Sequence, residues 1–389
     1  MALNKANLKL QFMKPLSKEK VLEKINSGQS LEGAEIGDVD FRNHTFAAFF
    51  NFSGAKFMGE ASFSGAKFKG NAFFIEAKFE SNTYFIGAKF EGDAIFSGAT
   101  FKGNADFLGA KFEGDAYFMG ATFIGDAIFK GATFIGAAIF GGNEGNSVFS
   151  LKHETNFTDA FYRVPEKIRF VSVSFEKCLI ANKFSDLSKI GFYDVKWLFK
   201  NKRRMVYDEY VREESNSKLY YEYMKKTYSE LVKNYEDKRR FDEAEDFYYR
   251  EMEMKRLSKS KPLQFISLLS FYKYLSSYGQ GVIRTILVLC FFVLMMFPLL
   301  YMQSGIINKE RIDRIEYNFP EDIAGITSQK FWRDYKGSIT HSLEVSTLKR
   351  ETLYKSNTEF GHALESFQII LVSIQVALCI LAMRRSFRR

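Results

Sequence analysis

The chain is short of the residues from which most catalytic and cross-linked sites are built. Its three cysteines, Cys178, Cys290 and Cys379, lie far apart and match neither a disulfide framework nor a metal-ligand spacing. Its four histidines are scattered, and His341 and His362 read as solvated loop residues. No GxSxG, HExxH, Walker or GxGxxG pattern occurs. These gaps argue against an enzyme, and no cofactor or metal is expected. The first twenty residues are polar and lack the apolar core of a secretory signal. The net charge of +9 comes mainly from the two ends of the C-terminal half.

What the chain has instead is repetition. From Ser53 to Phe140 it carries eight copies of an eleven-residue unit without insertion, from SGAKFMGEASF to KGATFIGAAIF. The phenylalanines alternate at spacings of five and six. They are Phe57, Phe63, Phe68, Phe74, Phe79, Phe85, Phe90, Phe96, Phe101, Phe107, Phe112, Phe118, Phe123, Phe129, Phe134 and Phe140. Alanine stands two residues before nearly every one (Ala55, Ala61, Ala66, Ala72), with Thr83 the exception. Neither a helix nor a strand has a period of five or six. A coil with short sides and a corner at each step fits. Each side sends one phenylalanine to the axis, so that the sixteen form one column, with alanine where a larger side chain would not fit. Glycines such as Gly59, Gly70, Gly92, Gly103, Gly114, Gly125 and Gly136 are expected at the corners for their tolerance of positive φ. Each buried ring contributes about 1.5–3 kcal/mol. Outward positions vary among Lys, Glu, Asp, Ser and Ile, which points to a structural rod or a protein-binding face rather than to catalysis.

This stretch resembles the pentapeptide-repeat family in its phenylalanine-centred variant. The resemblance implies a right-handed quadrilateral β-helix with four sides per coil. Two units then make one coil, and at a strand spacing of ~4.8 Å the eight units form a section roughly 19 Å long. Some members of the family mimic DNA with an acidic rod. Here lysine is mixed with aspartate and glutamate, so no dealings with nucleic acid are expected.

The coil is expected over residues 33–200. Ile36, Phe41, Phe46 and Phe52 carry the rhythm backwards, and Phe170, Phe175, Ile180, Leu187, Phe192 and Trp197 resume it after a Gly/Asn-rich loop. Residues 1–32 read as an N-terminal cap, with a helix over Ser17–Asn26 that presents Val21, Leu22 and Ile25 and stops at Gly28. Residues 201–261 read as an αα-hairpin packing on the rod or on a neighbouring subunit. Residues 262–281 read as an amphipathic helix lying in a membrane interface, with Phe271, Tyr272, Tyr274 and Tyr278 as its aromatics. The alternative for that segment is a core helix of the hairpin domain.

Two segments, 282–302 and 367–383, are apolar enough to cross a bilayer, the first being about 31 Å long as a helix. The tail 384–389 holds Arg384, Arg385, Arg388 and Arg389, and Lys255, Arg256, Lys259 and Lys261 precede the first segment. The positive-inside rule then places both termini, and the rod, in the cytoplasm of a multi-pass cell-membrane protein. Residues 303–366 become an extracytoplasmic loop with a short helix at Gly337–Leu348. A span, a short helix and a second span are the layout of two-span channels with a re-entrant loop. SITHSLEVSTL resembles the segment before the selectivity filter of that superfamily. Lys349-Arg350-Glu351 follows without the filter glycines, so potassium selectivity of the usual kind is not implied.

Glu344, Ser346 and Thr347 are therefore candidate pore-lining residues. So are Gln368, Val372, Gln375 and Cys379, which recur at steps of four, three and four on one helical face. The same stripe would also serve as packing glue between helices. The resulting expectation is a homo-oligomer in membrane lipid, fourfold by analogy, that passes inorganic ions and uses the β-helix for assembly or sensing. The competing class is a membrane-anchored scaffold whose rod binds a protein partner.

Overall fold

The computed structural model describes residues 15–387 except 28, 30, 48, 143–146, 212–216, 320–321 and 323–325. The expected helix stop at Gly28, the first fourteen residues of the cap, and Arg388 and Arg389 lie outside the described residues. The chain forms two compact units, Met1–Ser258 and Lys259–Arg389.

The first unit is a β-solenoid. Two-residue strands stack in parallel on the strand 22 residues further on, as Lys56–Phe57 does on Lys78–Phe79 and Ala94–Ile95 on Ala116–Tyr117. Four sheets of five, seven, six and seven strands result, in about seven turns. One residue of each strand points in and the other out. All sixteen repeat phenylalanines and the alanines before them are buried.

The rings form four stacks rather than the single column expected. Phe57, Phe79, Phe101 and Phe123 stack nearly parallel at 4.7 Å between centroids. Rings of different sides also meet edge-on, as Phe90 and Phe96 do on adjacent sides at 81° and Phe85 and Phe96 on opposite sides at 82°. The chain turns at every corner, so each side keeps its own stack and offers its ring edges to the next. Edge-to-face contact is the arrangement that the ring quadrupole favours.

The corner glycines need a second correction. Within the repeats the positive-φ glycines are Gly54, Gly65, Gly87, Gly98, Gly109, Gly120 and Gly131, which precede the buried alanines. Gly92, Gly103, Gly114, Gly125 and Gly136 are required for a different reason. A Cβ on Gly114 would lie 2.5 Å from the Gly92 carbonyl carbon, and one on Gly136 2.4 Å from the Gly114 oxygen. Successive coils touch backbone to backbone at these corners. The residue after each of these glycines except Gly136 fixes the register. Asn71 Oδ1 accepts from Asp93 N (3.0 Å), Asp93 Oδ1 from Asp115 N (2.9 Å) and Asp115 Oδ1 from Ala137 N (2.8 Å). Asn82, Asn104 and Asp126 build a second such ladder. These outward positions are thus constrained, although their mixed composition suggests free variation.

Both ends of the stack are covered. At the N-terminal end, α1 (Lys18–Asn26) buries Val21 against the first coil, with Leu22 and Ile25 beside it. At the other end, α2 (Tyr207–Val211), α3 (Lys218–Asp237) and α4 (Phe241–Leu257) close the rod. Trp197 Nε1 donates to Tyr235 Oη (2.7 Å), and Asn234 Nδ2 lies 2.8–3.0 Å from the carbonyls of Leu187, Ser188 and Ile190. Burial pushes the Cys178 thiol well above its ordinary value, so it packs as a small apolar group.

The second unit opens with α5 (Lys261–Ile266) and α6 (Leu268–Ser276), two short helices where one was expected. The break is at Ser267, whose extended backbone starts the second helix and whose Oγ meets Ser270 Oγ at 3.1 Å. The chain then forms α7 (Val282–Phe291), a π-helical segment Phe292–Met296 and α8 (Phe297–Ser304) as one continuous rod. A three-stranded antiparallel sheet, α9 (Gln329–Ser346) and α10 (Glu359–Ser386) follow. In the sheet, Ile306–Asn308 lies between Arg314–Ile315 and Tyr354–Ser356. Two helices, Val282–Ser304 and Glu359–Arg385, are long and apolar enough to cross a membrane. Within the chain, 33% and 22% of their most apolar stretches are buried.

Candidate functional site

The polar centre of the helical unit starts from one proline. Pro298 has no N–H, so the Leu294 carbonyl loses its usual helical partner four residues on. One residue earlier, Phe297 N reaches back five residues to Phe292 O, which leaves the Val293 carbonyl open as well. Open carbonyls inside an apolar helix need donors. Helix α9 supplies both. Ser342 Oγ donates to Val293 O (2.7 Å) and Tyr335 Oη to Leu294 O (2.7 Å).

Helix α9 is longer than expected, beginning at Gln329 rather than Gly337 and ending at Ser346. Ser328 caps it by accepting from Phe331 N (3.1 Å). Its buried stripe is Phe331, Asp334, Ser338, His341, Ser342 and Val345. The spacing of three and four is helical, but mostly polar, so a search for apolar periodicity passes over it.

The expected pore-lining residues fall into separate groups. Gln368 is fully buried. Its Nε2 lies 2.9 Å from Ser342 Oγ, 2.8 Å from Ser342 O and 2.7 Å from Ser346 Oγ, and its Oε1 accepts from Tyr301 Oη (2.7 Å). Gln375 is buried two turns further on, with Nε2 2.9 Å from Thr285 O and 3.3 Å from Leu275 O. Its Oε1 has no partner among the described residues. Val372, between the two glutamines, is buried, and Cys379 is half-buried as a free thiol. Glu344 is buried at the end of α9, where it pairs with Lys349 Nζ (2.9 Å) and accepts from Leu353 N (2.9 Å). Of the seven, only Thr347 is exposed; its Oγ1 donates to Leu343 O (2.9 Å). Within one chain, then, the glutamines join helices.

His341 is not the solvated loop residue expected. It sits on α9, 1% exposed, edge-on to the Tyr301 ring at 4.5 Å. Its Nε2 is 3.1 Å from Glu365 Oε1, which also accepts from Ser356 Oγ (2.7 Å), while Glu365 Oε2 is 3.2 Å from His362 Nδ1. A carboxylate only accepts, so the facing imidazole nitrogens carry protons. Glu365 thereby ties α9, the strand Tyr354–Ser356 and α10 together. Further along α9, Tyr317 Oη donates to Asp334 Oδ2 (2.9 Å), and burial together with that bond pushes the phenol up to about 12. Tyr301, Tyr335, Ser342 and Glu365 were missed by the sequence reading. For Ser342 the one signal is the polar three-and-four spacing along α9. Among the described residues no cluster of His, Cys, Asp and Glu has the arrangement to hold a metal ion.

Residues 52–100, 63–111 and 107–142 match the family described as pentapeptide repeats (9 copies). No curated protein and no solved structure matches the chain. Residues 52–142 are therefore pentapeptide repeats built as a β-solenoid, which is a structural fold. The second unit adds two helices with the length and apolarity to cross a membrane.

Proposed function

We propose that the chain is a multi-pass membrane protein whose helical unit assembles into a homo-oligomeric, ion-conducting module. In this reading the solenoid is a right-handed quadrilateral β-helix on the cytoplasmic side, serving assembly or sensing and catalysing nothing. The observation that carries the proposal is the seat of α9 on the Val293 and Leu294 carbonyls, at the midpoint of the first apolar helix. A polar-faced helix that does not span, yet reaches the middle of one that does, has the layout of a re-entrant pore helix. Both termini lie in the cytoplasm, following the basic residues that flank the two spans. One copy of two spans cannot enclose a path, so several copies assemble, four by analogy with two-span channels. Gln368 and Gln375 bond within one chain, so the ion path runs past the exposed end of α9 at Thr347 and Lys349.

The second reading, a membrane-anchored scaffold with a protein partner on the solenoid, is favoured by the same glutamines, since their amide nitrogens are satisfied without a neighbouring copy. Reversal potentials in planar bilayers under a salt gradient separate the two. A channel gives current, and Thr347→Glu, which adds a ring of carboxylates, shifts the reversal potential toward cations. A scaffold gives no current from either protein. Current with an unshifted potential places the path elsewhere.

A further inference from the structure

The helical unit has one end without acidic residues. No aspartate or glutamate occurs between Glu253 and Glu310, nor after Glu365. The first stretch carries α5, α6 and the start of α7, the second the last turns of α10. They meet at the turn 277–281. Ser277, Tyr278 and Gly279 all take positive φ (51°, 59° and 74°), and the N–H groups of Gly279, Gln280 and Gly281 converge on Ser276 O. Two guanidinium groups close on this turn from different helices. Arg284 Nη1 donates to Ser277 Oγ (2.9 Å), and Arg385 Nη1 donates to Tyr278 O (2.8 Å). Lys273 lies one turn back along α6, its carbonyl accepting from Ser277 N (2.8 Å).

The position of Arg284 is electrostatically adverse. It stands in the first turn of α7, whose N-cap is Gly281 with no side-chain bond. A cation beside the positive end of a helix dipole is disfavoured unless an anion joins it. On the helices that flank the turn, Leu268 and Phe271 of α6 and Ile283 of α7 expose apolar side chains (84%, 55% and 75%). A cationic turn between helices with exposed apolar groups, at the end of two bilayer-length helices, is complementary to one kind of molecule: acyl chains carrying a negative headgroup.

We infer that the turn 277–281, with Lys273, Arg284 and Arg385, is a headgroup site for an anionic phospholipid. The inference rests on the membrane reading and is independent of conduction. The test uses the full-length protein. Flotation with phosphatidylcholine vesicles comes first, followed by native mass spectrometry of lipid retained from an equimolar mixture of phosphatidylglycerol and phosphatidylcholine. Wild type is expected to float and to retain the anionic lipid preferentially. Arg284→Gln is expected to lower that retention about fivefold, the effect of one cation near a lipid surface. Arg284→Lys should restore most of it, and Lys309→Gln, at the opposite end of the unit, should leave it unchanged. Protein that fails to float overturns both the membrane reading and the site. Protein that floats but retains the two lipids equally, or loses as much with Lys309→Gln, overturns the site alone. Displacement of phosphatidylglycerol by inorganic phosphate alone overturns the lipid assignment in favour of a free anion.

Discussion

The two units are held together by opposite means. The repeat interior is dry: phenylalanine on phenylalanine and alanine between, with Thr83 the one polar side chain at these positions. The centre of the helical unit is wet in the sense of being hydrogen-bonded, with Tyr301, Ser342, Ser346 and Gln368 tied to one another and to carbonyls that the π-segment and Pro298 leave open. Apolar contacts are non-directional, so a repeating sequence can extend them coil after coil. A hydrogen-bonded centre has no such tolerance, because each group needs its particular partner. The first interior should fail by intrusion of charge or bulk, the second by loss of a partner.

The largest effect is expected from charge in the dry stack. Phe96 lies between Phe74 and Phe118, with ring centroids at 4.8 and 5.0 Å. Phe96→Asp buries a carboxylate with no donor in reach, at a cost of more than about 5 kcal/mol. Far-ultraviolet circular dichroism should show loss of the β signal, or the protein should not accumulate. A folded, soluble Phe96→Asp protein would mean that the stacks are not the source of the solenoid's stability.

The next effect distinguishes the two kinds of corner glycine. A Cβ on Gly114 meets Gly92 backbone at 2.5 and 2.6 Å, and neither coil can move without opening the Asp93–Asp115 ladder. Gly114→Ala should cost about 3 kcal/mol, as overpacking does. Gly109 has φ +62 and open space around its Cβ position, so Gly109→Ala should cost only the left-handed penalty of about 1 kcal/mol. Thermal unfolding followed at the β band orders the two. Equal midpoints would mean that the coils are not in backbone contact at the Gly114 corner.

How much of this was legible in the sequence follows from the same contrast. Phe57 to Phe140 announce the coil because each does the same thing as the residue 22 positions away. The four separate stacks, the division of the glycines into two kinds and the Asn71–Asp93–Asp115 ladder were not legible, since they depend on how one coil meets the next. In the helical unit the two apolar helices stood out by length and composition. The role of Pro298 is decided by partners forty residues away, so α9 looked shorter than it is and His341 looked like a loop residue. Gln368 and Gln375 stood out as polar residues in an apolar helix, but a sequence does not say whether such a residue faces water or another helix.

The smallest net effect is expected where a partner is removed together with the group it served. Gln368 Oε1 accepts from Tyr301 Oη, and both groups are fully buried. Gln368→Leu leaves the tyrosine hydroxyl without an acceptor and should cost about 2 kcal/mol. It also removes the amide from Ser342 and Ser346, but their hydroxyls keep the Val293 and Ser342 carbonyls as acceptors. Tyr301→Phe alone should likewise leave Gln368 Oε1 unpaired, at a cost of about 1 kcal/mol. The double variant has no unpaired group at this contact and keeps similar volume, so its cost should fall below that of Gln368→Leu alone. The measurement is a double-mutant cycle on thermal midpoints in detergent. Additive losses would mean that the two side chains do not bond to each other, and the hydrogen-bonded centre that distinguishes the helical unit from the solenoid would lose its middle link.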